Sequence, residues 1–431
     1  MAKNLPMIGD DIHAFAQTLW PLNRSLTGEG VRNTLLQIQG HLPKLQIKSI
    51  PSGTQVFDWT VPQEWHVKNA YILTPEGKRI CDFNVNNLHL VGYSVPFRGK
   101  LPLAELQNYL YSLPEQPTAV PYITSYYKER WGFCIAHNER ENLPDGDYEV
   151  FVDTQLFNGI LNYGELLIEG EQKQEIFLST YICHPSMANN ELSGPTVVTY
   201  LAKWLSSLQD RKYSYRIVFI PETIGSIAYL ANNYKTMKQN IIAGYNVSCV
   251  GDDRAYSFLP SRNGKTISDD VAKHVLKWLD PKFLRYTWGD RGSDERQYCA
   301  PGIDLPIASI MRSKYGEYPE YHTSLDNLTN VVTPTGLAGG FTAIQQAIKL
   351  LERNENYTVN VLGEPQMGKR GLYPTLSTRK SGKQVRTMMD FLSFCDGHHS
   401  ILDIAEKIDV PSWDLYPLID KLTDQNLITA V

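Results

Sequence analysis

Between residues 10 and 42 apolar positions recur at helical spacing, and the polar loop at 23–30 divides them into two helices. From 56 to about 170 the pattern changes to short β-type runs, such as 70–73 and 148–152, among dense aromatics and prolines at 120–127. A β-rich insert is expected there. From 175 onwards strands and helices alternate. The apolar run 176–182 reads as a buried strand, and 193–208 as a helix with Val197, Val198, Leu201 and Leu205 on one side. A strand at 215–220 and a helix at 224–234 follow, then strands at 241–250 and 305–311 and a last long helix at 335–353. This alternation predicts an α/β sandwich around a largely parallel sheet. Past a polar stretch punctuated by Gly and Pro, helices at 385–395, 400–408 and 412–425 and a strand at 427–431 fit a winged-helix-like module.

A chain of 431 residues with 42% apolar content is long enough for several cores. The pattern divides it into a core of 1–55 and 165–360, a nested β-rich domain at 56–164, a linker at 361–383 and a winged-helix-like domain at 384–431. A net charge of −5 gives no reason to expect nucleic acid or an anionic membrane as partner. No segment reaches the roughly 18 apolar residues of a membrane span, and the first residues lack the apolar stretch of a secretion signal. The six cysteines are scattered without a CxxC pair, which fits free thiols in a reducing, cytoplasmic setting.

In open α/β sheets ligands bind beyond the carboxyl ends of the strands. His184 follows the strand ending at Ile182, Glu222 the strand ending at Ile220, and His322 lies in the loop after the strand ending near Met311. Imidazole nitrogens and a carboxylate oxygen are ordinary zinc ligands, and a carboxylate at such a site can act as general base. Each residue alone has a plainer reading, a structural histidine or a helix-end charge; the order strand-His, strand-Glu-helix, late loop-His gives the set its weight.

These segments resemble a known family. Cys183-His184-Pro185-Ser186-Met187-Ala188-Asn189-Asn190-Glu191-Leu192-Ser193-Gly194 is similar to the first metal motif of the co-catalytic zinc aminopeptidases. Pro221-Glu222-Thr223-Ile224-Gly225-Ser226 resembles their Glu-Glu motif, and Tyr321-His322-Thr323-Ser324-Leu325-Asp326-Asn327 their last-ligand motif. The likeness covers roughly 1–50 and 165–355. Over nearly the whole chain the sequence resembles a bacterial aminopeptidase-like family with a nested small domain and a C-terminal winged helix, often tied to polysaccharide biosynthesis. Among the segments that carry this are 56–62, 88–94, 121–127, 131–134, 292–298 and 368–374. The resemblance implies a three-layer α/β/α core and a metal-dependent hydrolase of an amide or peptide bond at the end of a small substrate. His184, Glu222, His322 and Glu191 would hold metal, and Glu222 would serve as ligand or general base, not both.

The chain departs from the peptidase pattern at two ligands. Asn190 stands where the family has an Asp bridging two metals, and Ser248 where a further Asp is expected. A neutral amide brings no charge to two dications. Glu191, or Asp252 and Asp253, would have to compensate, so one zinc ion is expected rather than two. Asn190, Asp294, Glu295 and Arg296 are candidate substrate contacts, with Arg296 clamping a carboxylate and Glu295 an amine. Arg24 and Arg32, near the N-terminal loop, could reach the cleft but read rather as helix-surface charges, His89 as a structural residue of a strand, and His398 and His399 as surface or capping residues near a helix start. The rival reading is a non-catalytic binding or scaffold protein on the same fold. Residues 384–431 carry three Lys/Arg against eight Asp/Glu, so the C-terminal module is expected to contact protein rather than DNA. Self-association into a homo-oligomer is a further expected contact.

Overall fold

The computed structural model describes residues 5–126, 128–372 and 379–431. Tyr127 and part of the expected linker, 373–378, lie outside the described residues. Two compact units emerge: one takes in the chain to Asp269 together with Leu284–Thr342, the other Asp270–Phe283 and Ala343–Val431.

The first unit is built on an eight-stranded sheet. In spatial order its strands are Gln46–Pro51, Ile160–Ile168, Ser214–Ile220, Glu175–Tyr181, Ile241–Asn246, Ile307–Met311, Ser257–Leu259 and Leu284–Arg285. The sheet is parallel across its middle, from Ser214–Ile220 through Glu175–Tyr181 and Ile241–Asn246 to Ile307–Met311. Ile160–Ile168 pairs antiparallel with both its neighbours and Ser257–Leu259 antiparallel with Ile307–Met311, while the last pair, Ser257–Leu259 with Leu284–Arg285, is parallel again. The sheet is therefore mixed around the parallel centre that the alternation predicts. Every residue of Glu175–Tyr181 is buried, as a central strand covered on both faces requires.

Helices Leu5–Leu19 and Glu29–His41 pack with Ser193–Ser207 in one layer, and Ile224–Asn240 with the short helix Glu295–Tyr298 in another. In Ser193–Ser207 the stripe Val197, Val198, Leu201, Ala202 and Leu205 is buried, the face that holds an amphipathic helix on a sheet. The start of this helix sits hard against the strands. A Cβ at Gly194 would meet Thr180 Oγ1 at 2.4 Å and the Val247 carbonyl at 2.6 Å, a space that only glycine leaves open.

Within the insert, a four-stranded antiparallel sheet runs Arg79–Ile80, Glu64–Leu73, Asp147–Phe157, Phe97–Pro102. Its inner residues Trp65, Ile72 and Val150 join the same apolar core as Tyr181 and Ile220 of the central sheet. His89, read as part of a strand, lies instead in the single turn Asn87–His89, with its Nδ1 2.7 Å from the Cys134 carbonyl.

In the second unit a three-stranded sheet places Asn356–Val359 between Asp396–Ser400 and Ile428–Ala430, alongside helices Arg379–Ser393, Ile401–Lys407 and Ser412–Asp424. His398 and His399 belong to the strand; Ser400 caps the helix that follows, accepting from the Asp403 N–H. The six cysteines are free and buried. No helix among the described residues is long and apolar enough to cross a membrane.

Candidate active site

The parallel strands deliver their chemistry at one edge. Glu175–Tyr181 leads to Cys183 and His184, Ser214–Ile220 to Glu222, and Ile241–Asn246 to Ser248; the loop after Ile307–Met311 brings in His322. Thr223, Cys249 and His322 adopt the left-handed backbone, at φ 62°, 52° and 56°. Residues held in that region cluster where surrounding structure over-determines them. Here the Thr223 N–H donates to Asp294 Oδ1 at 2.7 Å, and the Tyr122 N–H to the His322 carbonyl at 2.8 Å.

His184 stands between two carboxylates. Its Nδ1 is 3.0 Å from Glu191 Oε2, and its Nε2 is 3.8 Å from Glu222 Oε2. Burial opposes a charged ring, but Glu191 and Glu222 outweigh it and hold His184 above the usual histidine value. Glu191 is anchored in turn by Arg24, whose Nε donates to Glu191 Oε1 at 3.0 Å and to the His184 carbonyl at 3.0 Å. Nη1 of Arg24 donates to the Leu19 carbonyl at 2.7 Å. Arg24 is only 1% exposed, so its reading as a helix-surface charge is corrected. A charge can be this deeply buried because a carboxylate and backbone carbonyls take up its donors. Arg32 does stay near the surface, paired with Glu64 at 2.7 Å.

Glu222 accepts from Ser293 Oγ at 2.7 Å, and its carboxyl is raised above the usual range chiefly by burial. Behind it, Asp294 accepts from Thr223 N–H and Ser226 Oγ; burial, with Glu222 nearby, pushes it up to about 8. The Glu295 carboxylate turns inward, accepting from the Gly292 and Ser293 N–H groups, Tyr315 Oη and Asn246 Nδ2. Arg296 donates to the Ser293 carbonyl and Thr223 Oγ1. The structure therefore places Asp294, Glu295 and Arg296 as a layer around Glu222 and Thr223.

His322 stacks on Tyr321 with ring centroids 3.9 Å apart, and its ring lies 5.6 Å from that of His184. Its Nε2 is buried without a hydrogen-bond partner, and burial together with His184 pushes its pKa down to about 3. A neutral imidazole with an unpartnered nitrogen is able to act as a metal ligand. Asp326, four residues on, receives the N–H groups of Asn189 and Asn190 at 2.7 and 3.0 Å and so caps the π-helical turn Ala188–Leu192.

His184, Glu222 and His322 line one cavity and carry the donor types that could hold a metal ion. His184 Nε2, the Glu222 carboxylate and His322 Nε2 would hold it. Glu191 on His184 Nδ1 is the outer carboxylate that fixes the tautomer of a metal-bound histidine. The ligand atoms of Cys183, His184 and Glu191 lie within 4.8 Å of one another, but that trio suits an ion less well. Burial keeps the Cys183 thiol protonated, and Glu191 is already paired with Arg24. The two positions where the family pattern has further carboxylates carry an amide and a hydroxyl. Asn190 Oδ1 accepts from Tyr181 Oη at 3.0 Å, and Ser248 Oγ is buried and unpartnered. Asp252 is engaged by Asn189 Nδ2, Arg254 N–H and Ser313, and Asp253 by Thr333. Both carboxylates are thus held by internal donors.

A cavity of about 300 Å³ opens over His184, Glu222 and His322. Its walls come from the insert, as Trp59, Tyr122, Thr124 and Tyr126, and from the core, as Leu26 and Ile224. Sequence reasoning missed Asp326, Ser293 and Tyr122. Asp326 and Tyr122 stood inside motifs already singled out, and Ser293 beside the acidic cluster. For Arg24 the cleft was the less favoured reading, because its burial depends chiefly on partners 160 residues away or more.

A family described as a domain of unknown function (DUF4910) matches residues 13–354, and one described as winged helix-turn-helix matches 355–430. A protein of Clostridium acetobutylicum, provisionally named for polysaccharide biosynthesis with an aminopeptidase-like domain, is 43% identical over 407 residues, 94% of this chain and 93% of that one. The crystal structure of a provisionally named peptidase from Clostridium acetobutylicum is 41% identical, with a TM-score of 0.93 over 100% of this chain and 98% of that one. BSAP, a zinc aminopeptidase from Bacillus subtilis, shares the fold at 12% identity and a TM-score of 0.58, over 80% of this chain and 94% of that one.

Proposed function

The chain belongs to the DUF4910 family, with an aminopeptidase-like core and a C-terminal winged helix, and from that premise we propose that it is a zinc-dependent hydrolase of an amide bond at the end of a small substrate. We place the reaction in surface-polysaccharide biosynthesis, the process for which the Clostridium relative is named. The observation that carries the reading is His322 Nε2, buried and unpartnered, on the same cavity as His184 and Glu222. One zinc ion, when bound, supplies the Lewis acidity that polarises a carbonyl and makes water nucleophilic at neutral pH. The chain's own work is to hold that site. Glu191 and Arg24 fix His184, Ser293 fixes Glu222, and the strained turn at His322 presents its free nitrogen. Glu222 serves as a ligand, because its 3.8 Å separation from His184 Nε2 is too long for a hydrogen bond and suits two groups facing a common ion. Buried free thiols favour the cytoplasm as the setting.

Calorimetric zinc titration tests the assignment. Wild type should bind one zinc per chain, and His184→Ala and His322→Ala should each weaken it at least a hundredfold with circular dichroism unchanged. Unchanged zinc binding in both variants would refute it. A second reading, binding without hydrolysis, draws on Asn190 and Ser248 in place of carboxylates; protein that purifies free of metal without chelators would favour it.

A further inference from the structure

We infer that the cavity takes a neutral, hydroxyl-bearing ring with the scissile amide as its substituent, an N-acylated amino sugar, and not the ammonium end of a peptide. This rests on the hydrolase reading above and adds to it the class of substrate.

Charge comes first. Among the described residues that line the cavity, the ionisable groups besides phenols are His184, Glu222, His322 and Cys183, with no lysine, arginine or aspartate. A peptide's free amino terminus needs a carboxylate that is not already committed. Glu222 faces His184 and takes the Ser293 hydroxyl, while Glu191 is held by Arg24 and His184. Asp294 and Glu295 lie off the cavity wall and receive internal N–H and O–H donors. An anionic group fares no better, since Arg296 points its donors at Thr223 and the Ser293 carbonyl. Desolvating a charge without a counter-charge is costly, so the occupant is uncharged.

The walls then say what kind of neutral group fits. Trp59 is carried over the cavity by the two-stranded hairpin of Gln55–Val56 and Trp59–Thr60, and Tyr122 and Tyr126 stand beside it with their hydroxyls 3.0 Å apart. The Tyr122 ring also packs against both histidines, at 5.3 Å from His184 and 5.1 Å from His322. A phenol hydroxyl can both donate and accept, and those of Tyr122 and Tyr126 already pair with each other. Aromatic faces that cover C–H groups, together with phenol and Thr124 hydroxyls that both donate and accept, match a ring rich in hydroxyls. A volume near 300 Å³ is at the small end for ligand cavities and suits a single ring. The reaction is hydrolysis: the acyl C–N bond breaks, a C–O bond forms from water, and both hydrogens of that water end on the departing ammonium, leaving a carboxylate.

The test has a binding arm and a turnover arm. In the first, metal-free full-length protein is titrated calorimetrically with N-acetylglucosamine, N-acetylgalactosamine, N-acetylmannosamine and leucinamide. At least one acetylated sugar should bind tenfold or more tightly than leucinamide. Trp59→Ala should weaken it at least tenfold, and Trp59→Phe, which keeps a ring, less than threefold. Tighter leucinamide binding, or sugar binding by none of the three, overturns the inference, as does sugar binding indifferent to Trp59→Ala in protein of unchanged circular dichroism. In the second arm, zinc-loaded protein is assayed for acetate release from the sugars and leucine release from leucinamide. Predominant leucine release overturns the inference and leaves the hydrolase reading standing. Trp59-dependent sugar binding with release of neither product supports the ring assignment and overturns hydrolysis instead.

Discussion

Arg24 and Glu191 meet at 3.0 Å with both side chains fully buried. Removing one partner leaves a charge stranded in the interior, a loss of about 3–5 kcal/mol. Arg24→Met is expected to lower unfolding free energy by that order in urea, and Arg24→Met with Glu191→Gln to recover part of it. A double variant whose loss equals the sum of the two single losses would show that the two are not coupled. Glu191→Gln should also weaken zinc about 10–100-fold by calorimetry, the usual effect of losing a carboxylate behind a ligand histidine; unchanged affinity would remove Glu191 from the metal's surroundings. At this scale the sequence was informative where position alone carries meaning. His184 and Glu222 follow strands, and order along the chain was enough to pick them out. It was silent where meaning depends on burial: Arg24, a loop arginine, looked like a surface charge, and Asp252 looked available until its four hydrogen bonds were seen.

Elements were legible from period and composition, and their ends much less so. The helix expected to stop near 234 continues to Asn240, because its last turns are polar and solvent-facing and the apolar period no longer marks them. The strand expected to reach 250 stops at Asn246, where the chain turns to bring Ser248 and Cys249 to the site. Within the C-terminal unit, His274 on helix Ile267–Leu279 joins helices it could not have announced. Its Nδ1 is 2.5 Å from Glu406 Oε1, and its Nε2 accepts the Ser412 N–H at 3.0 Å. The second bond needs a neutral ring, and burial, against the opposing pull of Glu406, lowers its pKa below the ordinary value. The unfolded chain therefore takes up the proton first. The contribution is whole above about pH 6.5 and is lost as pH falls below it. Urea unfolding between pH 8 and 5.5 should show wild type losing more stability than His274→Leu, up to about 1.4 kcal/mol, the ceiling that one proton sets over the one pH unit below about 6.5. Parallel pH profiles would contradict this.

For the molecule as a whole, metal and nucleic acid give opposite expectations. Zinc that binds only the folded chain should raise its unfolding free energy by about 2.7 kcal/mol at a hundredfold excess over Kd, and a chelator should abolish the gain. A melting temperature indifferent to zinc and chelator would count against a resident ion. The winged helix is acidic, with Asp414, Asp420 and Asp424 exposed on helix Ser412–Asp424. Duplex DNA should therefore bind no better than micromolar at low salt; tighter, steeply salt-dependent binding in a mobility-shift assay would reverse the expectation that this unit meets protein.

The second unit is not contiguous in the chain. Asp270–Phe283 belongs to it, yet the rest begins only at Ala343. The partners of His274 lie 132 and 138 residues further on. During synthesis at about 5–20 residues per second, that spacing corresponds to a wait of roughly 7–28 s between the appearance of the histidine and that of the groups that bury it. For that interval the nascent chain carries an uncovered helix face, so a chaperone arriving on the ribosome would find its target there, and a stop codon lost or gained near the end would be felt a third of the chain upstream.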